Sequence, residues 1–362
     1  MDDVSLSRRI FLSAAAAAPA APVLLASDRI AIFDPPPERV RIATIANSYA
    51  APSVAYSPDE IRQIQSQGKS VELIVTRSLD ELNRVLPEVD VVFGALKPDL
   101  LAKARNVRWM QHTEAGMEGL LFPELVKSPI VVTNMARMYA PAISETAIAM
   151  LLALTRGIAK YYVPQFHERK FNSERNLVEV DGMTMGIAGM GGLGSATAMR
   201  AHYGFNMRIL ATDAKPMAKP LFVDTLREPG WLMEMVPQVD ILVSAVPLTK
   251  DTAGMFNERV FRAMKKTAYF LNISRGGTVD QPAVVRALKE GWIAGAGLDV
   301  TTPEPLPPDS PLWDCPNVVM TCHTSGFSPQ RRIRQMAMLV ENVRRYAHGL
   351  PLMNVVDKQR GY

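Results

Sequence analysis

The chain has 362 residues, which is long for a single hydrophobic core, so its length predicts two domains. Hydrophobic residues make up 48% and charged residues 21%, the proportions of an ordinary globular protein. The net charge of +4 is dispersed and forms no Lys/Arg block, which argues against a nucleic-acid-binding surface. The two cysteines, Cys315 and Cys322, flank a predicted strand and would lie too far apart for a disulfide, and no Cys/His cluster has the spacing of a metal site.

Residues 1–30 carry the pattern of a twin-arginine export signal. The sequence SRRIFL at 7–12 precedes an alanine-rich apolar stretch at 13–26 that two prolines interrupt. This stretch is too short and too broken for stable insertion in a membrane. We therefore expect an export signal and a periplasmic mature protein. The alternatives are an uncleaved anchor and a misplaced start codon; without a working signal the protein would be cytoplasmic.

Residues 31–135 alternate between short apolar strands and helices, which predicts a doubly wound parallel sheet of the α/β class. This unit lacks a glycine fingerprint, so we expect it to bind the substrate and not the dinucleotide. A terminal helix at 329–346 is expected to cross back, so that 327–362 completes this domain. The predicted strands are at 39–45, 71–75, 89–94, 107–111 and 130–133, and the predicted helices at 58–67, 79–85 and 99–104.

Residues 136–326 repeat the alternation and predict a second doubly wound parallel sheet, a Rossmann domain. A long apolar helix at 143–162 is expected to connect the two units. Gly204 is expected to end the first helix of the Rossmann domain. The predicted strands are at 183–188, 207–212, 239–246, 268–273, 293–299 and 318–321, and the predicted helices at 195–203, 232–236, 258–263 and 281–290.

A dinucleotide-binding motif lies at the start of this second unit. Gly189, Gly191 and Gly194 follow the strand at 183–188 with G-x-G-x-x-G spacing and open a helix. The first glycine permits the tight turn, the second lets a pyrophosphate approach the backbone, and the third lets helix and strand pack closely. Strand, glycines, helix and strand in this order are the context that the motif requires.

Asp213 ends the strand after the glycines and predicts the choice of cofactor. A carboxylate there accepts hydrogen bonds from the ribose hydroxyls and repels a 2′-phosphate. We therefore expect NAD to be preferred. Lys215 and Lys219 follow closely and would soften the repulsion, so NADP is the alternative.

Three polar residues follow strands of the second unit, where ligands of open α/β sheets bind. Arg275 can hold a substrate carboxylate bidentately, His323 can carry a proton near neutral pH, and Glu304 beside it would favour the charged imidazolium. Together they predict the reversible reduction of a 2-keto acid, with hydride from a nicotinamide and the proton from His323. The remaining histidines are interpreted as structural or surface residues: His112, His167, His202 and His348.

From about residue 39 to residue 362 the chain resembles the D-isomer-specific 2-hydroxyacid dehydrogenase family, especially its glyoxylate/hydroxypyruvate reductase-like branch. The matching motifs are VPLTKDT at 246–252, NISRG at 272–276, LDVTTPEPLPPDSPLW at 298–313, HTSG at 323–326 and QHTEAG at 111–116.

This resemblance implies roles for individual residues. Arg275, Glu304 and His323 would be catalytic, and the backbone of Ala115 and Gly116 would hold the substrate carboxylate together with Arg275. Asp299 would bind the nicotinamide carboxamide. No metal is expected, and the family implies a homodimer. The residues expected to line the cofactor cleft are Gly189, Gly191, Gly192, Leu193, Gly194, Asp213, Val246, Pro247, Thr252, Ile273, Ser274, Asp299 and Gly326.

The chain also departs from the family pattern. Cys322 replaces the usual proline before the histidine, where it is interpreted as a small apolar residue. Thr301 and Thr302 stand where Phe and Glu are common, and the segment 135–138 replaces one that usually contains glycine. Glu114 stands where the family has a small residue and would bring a carboxylate near an anionic substrate.

The sequence thus predicts an NAD(P)-dependent oxidoreductase that acts on a small 2-keto acid or D-2-hydroxy acid similar to glyoxylate or hydroxypyruvate. A second hypothesis is an exported protein that uses NAD as a structural or sensing ligand without turnover. The intact set of Arg275, Glu304 and His323 favours the enzyme.

Overall fold

The structure, a computed structural model, describes residue 33 and residues 35–45, 56–174 and 176–362. The expected export signal at 1–30 lies outside the described residues. Two parallel β-sheets organise the described chain, one of five strands and one of seven. The predicted class, α/β with two doubly wound parallel sheets, is therefore confirmed.

The first sheet has the strand order β2-β1-β3-β4-β5, and every neighbouring pair is parallel. Two of its helices, at Pro58–Gln65 and Leu79–Val85, begin at capping serines. At the first of them the Ser57 side chain accepts from the Glu60 amide while the Glu60 carboxylate accepts from the Ser57 amide. The strands are β1 (Val40–Ile45), β2 (Val71–Thr76), β3 (Val91–Phe93), β4 (Trp109–Gln111) and β5 (Val131–Thr133), and the helices α1 (Pro58–Gln65), α2 (Leu79–Val85), α3 (Pro98–Leu101) and α4 (Pro123–Lys127).

The second sheet has the order β12-β11-β10-β9-β6-β7-β8, again parallel throughout. The order reverses between β6 and β9, which places the ligand crevice of a Rossmann sheet at their carboxyl ends. The strands are β6 (Thr184–Ala188), β7 (Arg208–Thr212), β8 (Thr225–Arg227), β9 (Ile241–Ser244), β10 (Tyr269–Asn272), β11 (Gly295–Leu298) and β12 (Val318–Met320), and the helices α5 (Ala140–Thr155), α6 (Val163–His167), α7 (Gly192–Phe205), α8 (Leu232–Met235), α9 (Glu258–Ala263) and α10 (Gln281–Lys289).

The last helix, α11 (Gln330–Ala347), returns to the first sheet. Leu339 on this helix is fully buried, and the ring of Tyr346 lies 5.4 Å from that of Trp109 in β4. Asn342 Nδ2 donates to Gln111 Oε1 over 3.0 Å, a buried hydrogen bond between the helix and the end of β4. The core of the first sheet therefore contains residues from both ends of the described chain.

The connection between the two sheets is not the single helix predicted at 143–162. α5 ends at Thr155, and Gly157 adopts a left-handed backbone with φ +67° that α-helix cannot continue. A turn of π-helix at Ile158–Tyr162 and the short α6 follow. No single helix of the described chain is long and apolar enough to cross a membrane; α5 and the segment 158–167 satisfy length and composition only as a pair bent by 61°.

Two further details of the second sheet differ from the prediction. Gly204 does not end α7, which continues to Phe205 and stops at Asn206, where φ is +50°. Asparagine tolerates the left-handed region better than most side chains, so it serves as the cap. The edge strand β8 was not predicted, because its segment has little apolar alternation.

Candidate active site

The glycine motif lies at the switch point between β6 and β9. Gly189 has φ +94°. A Cβ there would lie 2.7 Å from the carbonyl oxygen of Ala245, the residue that follows β9. A Cβ at Gly194 would overlap with the Gly189 carbonyl oxygen, so α7 can approach β6 this closely only with glycine. A Cβ at Gly191 would meet nothing within 4 Å, so the first turn of α7 presents open backbone. This is the cradle that a dinucleotide pyrophosphate needs, and these residues fit the cofactor.

Asp213 follows β7 beside this cradle. Its carboxylate accepts from the Met190 amide and from the Lys215 amide, each over 2.7 Å, which fixes its orientation. Each oxygen retains a further lone pair for a ribose hydroxyl. Of the two lysines behind it, Lys219 donates to the Val223 carbonyl over 2.6 Å, and the Lys215 ammonium lies 4.5 Å from the ring centre of Tyr362.

Arg275 follows β10, and its backbone is held on both sides. The Arg275 carbonyl accepts from Asn272 Nδ2 over 3.0 Å and from Thr278 Oγ1 over 2.8 Å. A Cβ at Gly276 would overlap with the Thr301 carbonyl oxygen, so glycine lets the loop after β10 pass the loop after β11. The guanidinium donates from Nη1 to the Ser274 carbonyl over 2.8 Å and from Nε to Glu118 Oε1 over 2.9 Å.

Glu304 and His323 form a direct pair. His323 Nδ1 lies 2.8 Å from Glu304 Oε2, while Glu304 Oε1 accepts from the Thr301 amide over 3.0 Å. An ionised Glu304 makes Nδ1 the donor and leaves Nε2 as the ring atom free to exchange a proton with a ligand. Both side chains are partly exposed, which is required of groups that meet a substrate. The structure thus joins two residues that are 19 positions apart in the sequence.

Asp299 is buried at the end of β11 and organises the histidine loop. Its carboxylate accepts from Thr321 Oγ1 over 2.5 Å, from the Ser325 amide over 3.3 Å and from the Ser325 hydroxyl. Its carbonyl accepts from the His323 amide over 2.8 Å. The sequence interpretation assigned Asp299 to cofactor binding only; in the structure its carbonyl also holds the backbone of His323.

The remaining predicted cofactor residues lie at the ends of the strands of the second sheet or at the start of α7, and Ala115 lies in the loop after β4 of the first sheet. Thr252 Oγ1 donates to the Pro247 carbonyl over 2.5 Å, and the Ser274 hydroxyl lies 2.9 Å from that of Ser244 at the end of β9. Ala115 accepts from Asn134 Nδ2 over 2.7 Å through its carbonyl. Ile273 is buried; Val246 packs against one core cluster of the second sheet, and Leu193 against the other. Gly192 lies against the Arg137 side chain and Gly326 against the Tyr139 ring.

The sequence interpretation makes His112 structural, and the structure places its partly buried ring directly after β4. Burial lowers its pKa, so the ring stays neutral near pH 7. Its Nδ1 is buried without a hydrogen-bond partner in the described structure. A neutral imidazole in this position does not offer the proton that His323 can supply.

Sequence reasoning did not predict the contacts of three charged residues around the site. Glu114, expected to face the substrate, instead pairs with Arg331 over 3.0 Å and also accepts from the Tyr139 hydroxyl. Glu118 pairs with Arg275. Arg137, at φ +71°, packs over Gly192 at the beginning of α7. Periodicity gives no signal for such contacts, because the partners come from distant elements.

A Rossmann sheet with this glycine cradle, next to an arginine and a Glu–His pair at the same strand ends, defines a nicotinamide-dependent oxidoreductase. Residues 148–325 match the family model described as "D-isomer specific 2-hydroxyacid dehydrogenase, NAD binding domain". The chain belongs to the D-isomer-specific 2-hydroxyacid dehydrogenase family. It is an NAD(P)-dependent enzyme, and the hypothesis of a dinucleotide-binding protein without turnover is not supported.

Among its relatives is a glyoxylate reductase of Korarchaeum cryptofilum, 35% identical over 278 residues that make up 75% of this chain and 82% of the relative. A glyoxylate/hydroxypyruvate reductase B of Escherichia fergusonii is 31% identical over 270 residues, 72% of this chain and 81% of the relative. Among solved structures, an NADPH-dependent glyoxylate/hydroxypyruvate reductase of Sinorhizobium meliloti in complex with NADP and sulfate has a TM-score of 0.73 and 25% identity, covering 90% of this chain and all (100%) of that chain.

The contact between α7 and β6 generates a prediction about cofactor binding. Replacing Gly194 by Ala forces the helix away from the Gly189 carbonyl, so unfolding free energy should fall by about 1–3 kcal/mol and NADH affinity should fall with it. Gly204→Ala is the matched control, because it lies in the same helix with open space around it and should gain about 0.5–1 kcal/mol. Urea denaturation measures the unfolding free energy, and fluorescence titration measures the NADH affinity. A Gly194→Ala protein with normal NADH affinity would contradict the assignment of the cradle.

Proposed function

We propose that this enzyme reduces glyoxylate or hydroxypyruvate, or oxidises the corresponding D-2-hydroxy acids. The observation that carries the proposal is the Glu304–His323 pair at the same sheet edge as Arg275 and the glycine cradle. The names of the relatives support the substrate class. In this proposal residues 31–135 and 327–362 form the substrate domain and residues 136–326 the cofactor domain.

Each residue has a defined task in the proposed reaction. Arg275 and the backbone of Ala115 and Gly116 bind the substrate carboxylate and orient the keto group. His323 donates a proton from Nε2 to the developing alkoxide, and Glu304 stabilises the imidazolium through Nδ1. NAD(P)H, when bound along the cradle, supplies the hydride. Glycerate or glycolate oxidation uses the same residues in reverse, with His323 accepting the proton.

The role of His323 is tested by His323→Ala. Loss of one general acid should lower kcat for keto-acid reduction by about 10²–10⁴-fold, while NADH affinity stays near that of the wild type because the cradle is intact. His348→Ala is the control, since that exposed ring contacts only the Arg344 carbonyl among the described residues. Absorbance of NADH at 340 nm follows the reaction; a fully active His323→Ala enzyme would remove this residue from the mechanism.

We propose that NAD is preferred over NADP. Asp213 is fixed by two backbone amides next to the cradle, and a 2′-phosphate would meet its charge. Lys219 is engaged by a backbone carbonyl, which leaves Lys215 as the nearer cation for a phosphate. The Sinorhizobium relative was solved in complex with NADP. A preference for NADP is therefore the alternative to be tested.

Asp213→Ser should lower the preference for NADH over NADPH by roughly tenfold or more, because it removes the repulsive charge. The measurement is kcat/KM for both cofactors in the wild type and the variant. Lys215→Ala is the companion variant and should weaken only the use of NADPH. A wild-type enzyme that prefers NADPH would overturn the proposal.

We also propose that the enzyme is a homodimer. The segment 157–174 presents Val163, Phe166 and Phe171 to solvent, with Phe166 80% exposed. Such an apolar group on one surface is typical of an interface. Sedimentation equilibrium should give twice the mass of the chain; a monomer at micromolar concentration contradicts the proposal.

The export signal remains a proposal that the sequence SRRIFL supports. Cell fractionation should find the protein in the periplasm, and the double variant Arg8→Lys, Arg9→Lys should keep it in the cytoplasm. An identical distribution of both proteins would argue against this pathway.

A further inference from the structure

The substrate loop of the first sheet, residues 112–118, carries two carboxylates with different partners. Glu114 is bound by Arg331 of α11 and by the Tyr139 hydroxyl, so its charge is compensated outside the site. Glu118 is bound by Arg275. In the proposed function, Arg275 is the residue that binds the substrate carboxylate. The two glutamates lie in one loop, four positions apart, and only Glu118 reaches the catalytic arginine.

The position of the Glu118 carboxylate is defined by two contacts, one for each oxygen. Its Oε1 lies 2.9 Å from Arg275 Nε. A Cβ at Gly116 would overlap with both Arg275 Nη2 and Glu118 Oε2, so both groups rest against the bare backbone of Gly116. The arginine fork and the Gly116 backbone are the proposed ligands of the substrate carboxylate. The Glu118 carboxylate therefore lies at the place where a substrate carboxylate is expected.

We propose that Glu118 is a specificity-determining residue that occupies the carboxylate site of the free enzyme and is displaced by the substrate. This inference rests on the proposed function. About one third of each side chain is exposed, so the Glu118–Arg275 pair is a weak, partly solvated ion pair that a ligand carboxylate can replace. Arg275 thus never faces the empty site without an anion.

Displacement leaves the Glu118 charge next to the bound substrate. A keto acid with one carboxylate pairs that charge with the Arg275 fork and presents no second charge to Glu118. A keto acid with a second carboxylate places that charge near Glu118, where like charges repel in a partly desolvated cleft. The substrate class that follows is small monocarboxylic 2-keto acids, with dicarboxylic ones excluded.

The test compares pyruvate with ketomalonate, which has a carboxylate in place of the methyl group, and includes glyoxylate. In the Glu118→Gln enzyme the KM for glyoxylate should fall about three- to fivefold, since an exposed ion pair no longer competes. The preference for pyruvate over ketomalonate in kcat/KM should fall about tenfold. Calorimetric titration of the enzyme–NADH complex with oxamate, a non-reacting monocarboxylate, should show a matching rise in affinity, independent of turnover.

Glu114→Gln is the matched control, because it removes the same charge from the same loop without touching Arg275. It should leave the pyruvate–ketomalonate ratio and the oxamate affinity near the wild-type values. An unchanged Glu118→Gln enzyme, or one with a raised KM for glyoxylate, overturns the inference, since the latter would mean that Glu118 holds Arg275 in place for the substrate. A wild type that reduces neither glyoxylate nor hydroxypyruvate refutes the proposed function itself, before any variant is compared.

Discussion

The buried carboxylate of Asp299 is the constraint on which the catalytic edge of the second sheet depends. A buried charge without partners costs several kcal/mol, so the chain around it must supply donors. Thr321 and Ser325 do so from the loop after β12, and this places the His323 backbone in a left-handed turn at φ +54°. The Asp299 amide donates in turn to the Asn272 carbonyl over 3.0 Å. One residue therefore connects the loops after β10, β11 and β12.

Asn272 extends this connection to Arg275. Its side-chain amide donates to the Arg275 carbonyl and its side-chain oxygen accepts from the Ser274 amide, while its own carbonyl receives the Asp299 amide. The arginine and the histidine are thus positioned by two neighbouring polar residues, each with its hydrogen bonds satisfied inside the sheet. Such networks are rigid because any loss leaves a buried group unpaired. The side-chain atoms proposed to meet the substrate lie outside this network, so a ligand can reach them without breaking it.

The sequence predicted the parts of this enzyme whose geometry is local or imposed by parallel strands. The glycine cradle could be predicted from spacing, because each glycine avoids a steric clash or leaves backbone accessible within a few residues of the turn. Arg275, Glu304 and His323 were found because the carboxyl ends of parallel strands share one edge. Glu118 was not found, because its contact with Arg275 joins residues 157 positions apart, one at each sheet. The break at Gly157 was missed for a different reason: apolar composition continues through it, and only the backbone angle ends the helix.

The return of α11 to the first sheet gives the two sheets different histories during synthesis. The strands β6 to β12 and their helices are contiguous in the chain, so that unit can bury its core as soon as it has left the ribosome. The first sheet is synthesised earlier, yet the face that receives Leu339 and Tyr346 stays uncovered until residues 330–347 appear. The half made first is therefore the half completed last. During synthesis the glycine cradle can therefore form before the first sheet, which carries the loop at residues 112–118, is complete.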